Sequence, residues 1–316
     1  MSTPLPLYRP DQAQAMDRRA MAQWGRSAQE LMGRAGAAAW PLLRQRWPEA
    51  RRIGVVCGPG NNGGDGYVLA RLARAAGCQV SVIFPAGDTP RTPEAGQAWS
   101  DWRDAGGVTR TFDGDLPDVD VWVDGLYGVG LNRAPEGGAQ SVIERINASR
   151  LPVLALDVPS GLDADRGSAP GVAVRARVTL SFIAAKRGLH TGPARDYVGE
   201  VVFDPLGVPA STFADFAPAA RLYRLADLSA GLAPRHANAH KGEHGHVLSV
   251  GGEVGMGGAV RLCAEAALRT GVGLASVATR SEGVAALVAA RPEAMTHAVE
   301  LLSKEAEKIL KIFRQR

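Results

Sequence analysis

A chain of 316 residues that is 46% hydrophobic, 22% charged and 6% aromatic can bury one or two packed cores and is not compositionally disordered. Its three cysteines, Cys57, Cys78 and Cys263, show no C-x-x-C spacing, which excludes a disulfide framework and a thiolate zinc site and makes the reducing cytoplasm the expected location. The formal charge of +4 comes from scattered Arg, no apolar run reaches about 18 residues and residues 1–9 do not read as a secretory signal, so neither nucleic acid nor membrane is an expected partner.

Residues 11–47 read as helix, rich in Ala, Met, Gln, Arg and Leu, with Asp11 as N-cap after Pro10. Met16, Met21 and Met32 on this stretch would suit a dimer interface, so a homo-oligomer is among the expectations. Residues 51–57 are a short apolar strand stopped by Gly58-Pro59-Gly60. A helical pattern over 66–76 closes at Gly77, and a β-rich run over 79–84 ends at Pro85. The pattern then repeats, with a strand at 119–123, a helix at 142–148, a strand at 151–156 and extended segments at 172–183 and 200–203. Strands that are apolar throughout and alternate with helices predict a mainly parallel sheet covered on both faces, a three-layer α/β/α Rossmann-like domain over residues 1–215.

Residues 216–235 are weakly patterned and read as a linker. A second βα pattern occupies 236–300, with a strand at 246–250, a Gly-rich turn at 251–258, a helix at 259–269 and a strand at 274–279. It is too short for a doubly wound sheet of its own. Residues 301–316 hold three of the five lysines and read as one amphipathic helix with Leu302, Ile309, Leu310 and Phe313 on a stripe. That change of composition suggests a truncation, a fusion or a reading-frame slip.

Three motifs carry chemistry. GPGNNGGDGY at 58–67 satisfies G-x-G-x-x-G between a strand and a helix, where glycines let a backbone approach a diphosphate. No acidic residue follows at the end of the next strand, and the motif adds Asn61, Asn62 and Asp65, which argues against an ordinary dinucleotide oxidoreductase. The bland alternative is a Gly-rich turn with Asp65 as a helix cap. VDGLYGVGLN at 123–132 brings Asp124 to a strand end, and LDVPSGLD at 156–163 does the same for Asp157 and Ser160. The bland alternative for each is a turn without chemistry. Together they offer oxygen donors to one rim without His or Cys, a set for a hard cation rather than zinc, with one carboxylate left for acid–base work.

GPGNNGGDGY, DGLYGVGL and DVPSGLDAD, followed by KRGLHTGPAR at 186–195, resemble the NAD(P)H-hydrate epimerase family over residues 10–205. From His240, HKGEHGHVLSVGGEVGMGGAVRLCAEAALRTGVGLASVAT resembles the start of the ADP-dependent NAD(P)H-hydrate dehydratase domain, an incomplete ribokinase-like α/β domain of which about the first quarter is recognisable. The resemblance implies repair of NADH and NADPH hydrated at C6, by interconversion of the R and S forms. By carry-over, Asn61, Asn62, Gly63, Gly64 and Asp65 hold the hydrated dinucleotide with Gly128, Val129, Gly130, Leu131, Asn132, Arg133 and Ala134. Asp157 contacts the ring and shuttles the proton, and Asn62, Asp124 and Ser160 bind one potassium ion. Lys186 is either a charge stabiliser or a salt-bridge partner. No dehydratase activity is expected of this chain. The competing readings are an oxidoreductase using intact NAD(P) and a non-catalytic binding protein.

Overall fold

The structure is a computed structural model and describes residues 4–85, 90–131, 133–229 and 234–300. The expected tail at 301–316 and Asn132 lie outside the described residues. The chain divides into two compact units, Met1–Ala230 and Gly231–Arg316.

In the first unit the order is β1 (Leu5–Leu7), α1 (Pro10–Trp24), α2 (Ala28–Arg46), β2 (Arg52–Cys57), α3 (Asn61–Ala75), β3 (Gln79–Phe84), α4 (Pro93–Asp104) and β4 (Thr109–Thr111). There follow β5 (Val121–Gly125), α5 (Gly137–Ser149), β6 (Val153–Leu156), β7 (Val178–Phe182), α6 (Arg195–Val198), β8 (Glu200–Asp204), β9 (Ala220–Leu222) and α7 (Leu225–Ser229). Among the described residues, seven strands form one sheet in the order β4-β3-β2-β5-β6-β7-β8, every pair parallel.

Side chains alternate across this sheet, because successive residues of a strand point to opposite faces. Ile53, Val55 and Cys57 of β2 and Val121 and Val123 of β5 join the core under α1–α4. Val56 and Trp122 join the core under α5, with Val142, Ile143 and Ile146. Gly54 lies against the Trp122 ring, and a Cβ there would overlap it. Both faces are covered, which makes the unit the expected three-layer α/β/α Rossmann-like fold.

Several local expectations change. The stretch at 11–47 is two helices rather than one. Gly25 adopts φ 63°, a left-handed C-cap that ends α1, and Ser27 starts α2 with a reciprocal capping box. Ser27 Oγ accepts from Glu30 N at 3.1 Å while Ser27 N donates to Glu30 Oε2 at 2.9 Å. Arg9, not Asp11, occupies the N-cap of α1, and Asp11 sits in its first turn paired with Arg9. Met16 and Met32 are buried within the unit's own core, so they are not available to a dimer interface. Helix α3 begins at Asn61 rather than Gly66, and α4 was not legible as a helix.

Strand β9 falls within the residues read as linker and pairs antiparallel with β1, Leu5 opposite Leu222. The second unit contains β10 (His246–Val250), α8 (Gly257–Arg269), β11 (Leu274–Thr279), α9 (Ser281–Ala290) and β12 (Met295–Ala298). The three strands among its described residues form a parallel sheet in sequence order. No described helix is long and apolar enough to cross a membrane.

Candidate functional site

The strand order reverses between β2 and β5. From β2 the chain winds outward through β3 and β4, and from β5 it winds the other way through β6, β7 and β8. Crossovers leave a crevice at such a switch point, beyond the carboxyl ends of the strands, and ligands of open α/β sheets bind there. Here the crevice is a cavity of about 740 Å³, within the range of roughly 300–1,000 Å³ usual for small-molecule sites. Its floor comes from the turns after β2, β5, β6 and β7, and α1 and α2 form a wall.

The turn after β2 leads directly into α3. Gly60 is its N-cap and supplies no side-chain cap, so the helix opens with Asn61, Asn62, Gly63, Gly64 and Asp65 in its first turns. Asp65 is therefore not the cap it resembles in sequence. Glycine is required at two positions here: a Cβ on Gly58 would overlap Leu126 O, and one on Gly63 would overlap Gly58 O. The two turns are thus packed backbone to backbone. Asn61 Oδ1 accepts from Thr92 Oγ1 at 2.6 Å, which ties the start of α3 to the N-cap of α4. Asn62 is buried, and neither its Oδ1 nor its Nδ2 has a hydrogen-bond partner. A buried amide with both ends unpaired is costly unless a ligand completes it.

Asp124 is wholly buried at the end of β5, and desolvation pushes its carboxyl up to about 6 despite three hydrogen bonds. Oδ1 accepts from Ser160 Oγ at 2.6 Å and Leu126 N at 3.2 Å, and Oδ2 accepts from Ser160 N at 2.8 Å. Ser160 Oγ also accepts from Tyr127 N at 2.8 Å. Asp124 and Ser160 therefore brace the 124–128 turn from behind and do not line the cavity, whereas Asn62 does. The ideal Cβ position of Gly128 lies 3.5 Å from Asn62 Cγ and 3.2 Å from Asp157 Oδ2, so this glycine sits between the two side chains.

Asp157 follows β6 in a left-handed conformation, φ 64°, uncommon for a residue other than glycine and of a kind that clusters at functional sites. Its amide donates to Leu180 O at 2.7 Å, and Oδ2 accepts from Val129 N at 3.3 Å. Oδ1 is bonded to Lys186 Nζ, and that ammonium also donates to Phe182 O at 2.7 Å. Lys186 is buried, so the salt-bridge role is the one its geometry shows.

The described residues of the 128–134 segment, Gly128, Val129, Gly130, Leu131, Arg133 and Ala134, all line the cavity, as do Asn61, Asn62, Asp65 and Asp157. Gly63 and Gly64 lie in the α3 turn behind it. Sequence reasoning missed Asp17 of α1 and the α1–α2 wall. The signal was available, since Ala13, Met16 and Ala20 form a buried stripe at helical spacing and Asp17 falls on it. Burial raises Asp17 to about 6, with Asp157 adding to the rise and Lys186 and Arg18 opposing it. Desolvation, reinforced by Asp157 and Asp17, raises the Asp65 carboxyl well above the usual range.

A family model described as YjeF-related protein N-terminus matches residues 28–188, and one described as NAD(P)H-hydrate dehydratase matches 247–314. The chain is 43% identical over 298 residues to the bifunctional NAD(P)H-hydrate repair enzyme Nnr of Escherichia coli, covering 94% of this chain and 58% of that protein. Against the Nnr of Coxiella burnetii the identity is 44%, covering 93% and 60%. The chain thus spans less than two thirds of the length of these bifunctional relatives. It is 40% identical to the NAD(P)H-hydrate epimerase of Bordetella pertussis, covering 66% of this chain and 91% of that protein. The crystal structure of yeast YNL200c superposes with a TM-score of 0.54 at 23% identity, over 63% of this chain and 87% of that one, a likeness of fold. The chain belongs to the family of YjeF-related protein N-termini.

Proposed function

We propose that the first unit epimerises the R and S forms of hydrated NADH and NADPH. One observation supports this above the others: the unpaired Asn62 amide, the Gly128 turn and the Asp157–Lys186 pair converge on one cavity at the sheet's switch point. The uncapped N-terminus of α3 suits a diphosphate, since helix N-termini present N–H groups and a favourable dipole to anions. Arg91 and Arg133 also line the cavity and add positive charge for the same group.

The reacting carbon, C6, carries a hydroxyl next to the ring nitrogen. Protonation of that hydroxyl lets water leave while the nitrogen lone pair forms a flat C=N bond, and water returning to the opposite face inverts the centre. Asp157 is the residue we assign to the ring. Lys186 and Val129 N hold its carboxylate as an acceptor, oriented to take or return the proton at C6. Asn62, Asp124 and Ser160 fit a potassium ion in type. They supply an amide oxygen without a partner, a desolvated carboxylate and a hydroxyl, all hard oxygen donors. Such an ion would supply positive charge behind the 124–128 turn and order it.

The same reading separates the two halves of the chain. We assign dehydration to no described residue of the second unit, and residues 1–215, 216–235 and 236–300 serve as epimerase domain, linker and dehydratase-like segment. The test is a coupled assay with the R hydrate and an excess of a separate dehydratase. Recovery of reduced nicotinamide on adding this protein, faster in potassium than in choline buffer, is the expected result, and no recovery overturns the reading. Without the added dehydratase, the S hydrate and ADP should give no recovery.

A further inference from the structure

The cavity holds more acid than the reaction as written uses. Asp17, Asp65 and Asp157 reach it from three different elements, α1, α3 and the turn after β6, and Lys186 is bonded to only one of them. Inversion at C6 expels water from one face and admits it to the other, so a single carboxylate on one side serves only half of the proton traffic. We propose that Asp17 is a second catalytic acid–base residue, working on the ring face opposite Asp157. This rests on the epimerase reading above.

Two features of the structure favour Asp17 for this role. It lines the cavity from the α1 wall, whereas Asp157 lines it from the turn after β6. The charged groups that act on it are Lys186, Asp157 and Arg18, and it acts in turn on Asp65. Burial without a hydrogen-bonded cation favours its protonated form, whereas Asp157 has the Lys186 ammonium. Two carboxyls whose surroundings differ in this way divide into an acid and a base.

The step balances. The Asp17 carboxylic acid gives its proton to the C6 hydroxyl, the C6–O bond breaks with its electron pair leaving on water, and the ring nitrogen lone pair closes the C=N bond. A water molecule then adds to C6 from the other face and its proton passes to the Asp157 carboxylate. In the reverse epimerisation Asp157 gives its proton to the C6 hydroxyl, which leaves as water, and the water that adds from the other face gives a proton to the Asp17 carboxylate.

The experiment compares wild type with Asp17→Asn and Asp17→Glu in the coupled R-hydrate assay from pH 5 to 9, with melting temperatures taken alongside. If the wild type does not interconvert the hydrates, the reading beneath the inference fails. If it does, Asp17→Asn should lower kcat at least about 100-fold, with KM within about threefold. The fall in rate at alkaline pH expected of the wild type should vanish from the residual activity, the melting temperature should not drop, and Asp17→Glu should restore part of kcat together with the alkaline limb. A wild-type rate in Asp17→Asn overturns the inference. So does a loss matched by a lower melting temperature, or one that leaves the alkaline limb in place.

Discussion

Asp157, Lys186 and Asp17 line one cavity, and of the three only Asp157 and Lys186 are paired with each other. Removing one partner of a buried pair leaves an uncompensated charge. Lys186→Met should therefore destabilise the protein by about 3 kcal/mol, read as a lower urea midpoint, and should depress activity through a misplaced Asp157. Asp17 works in the opposite sense. Its folded value of about 6 lies above the ordinary 3.8, so as pH rises the unfolded chain gives up this proton first. Between about pH 4 and 6 the folded protein binds more protons and its stability falls. Below that window the penalty is absent, and above it the penalty is constant. Asp17→Asn removes it, and the variant should gain on the wild type across the same window by up to about 3 kcal/mol, seen by denaturation at pH 4 and pH 7. Asp157 and Asp65 were legible as motif letters. Asp17 was legible only as a carboxylate on an otherwise apolar helical stripe, and what it faces depends on which element packs against that stripe.

The elements that matter most are the two glycine-bearing turns after β2 and β5. Their approach leaves no room for a side chain at Gly58, where a Cβ would overlap Leu126 O, so Gly58→Ala must push the turns apart. Overpacking of this kind costs about 1–3 kcal/mol. Here it should also widen the Asn62–Gly128 gap, and a thermal melt together with the coupled assay should show both losses. The capping box of α2 is a smaller effect: Ser27→Ala should cost about 1 kcal/mol and leave kcat unchanged, since Ser27 does not line the cavity. Strand positions were readable because buried parallel strands are continuous apolar runs. Helix starts were less so. Asn61–Asp65 is polar and glycine-rich, the composition of a loop, and becomes helix only because the packed turns hold it. Helix α4 carries two tryptophans and a Pro93 start, and its weak stripe becomes a helix face through contact with α3.

For the whole molecule, the decisive pairing is β1 with β9, which closes the ends of the first unit on each other. A fragment ending at residue 215 lacks β9, and one ending at 230 keeps it. The longer fragment should melt higher and retain the full epimerase rate, and equal melting temperatures would show that the pairing contributes nothing. The amino-acid order by itself determined the alternation of strands and helices and the polar residues at strand ends, because those depend on local periodicity and on glycine and proline. The tertiary structure alone decided which of those strand ends meet. The reversal of strand order between β2 and β5 brings Asn62, Gly128 and Asp157 to one cavity, and the fold of α1 over it adds Asp17. No local pattern encodes a neighbour more than a hundred residues away in the chain, and burial, which raises the Asp17 carboxyl, exists only once that neighbour has arrived.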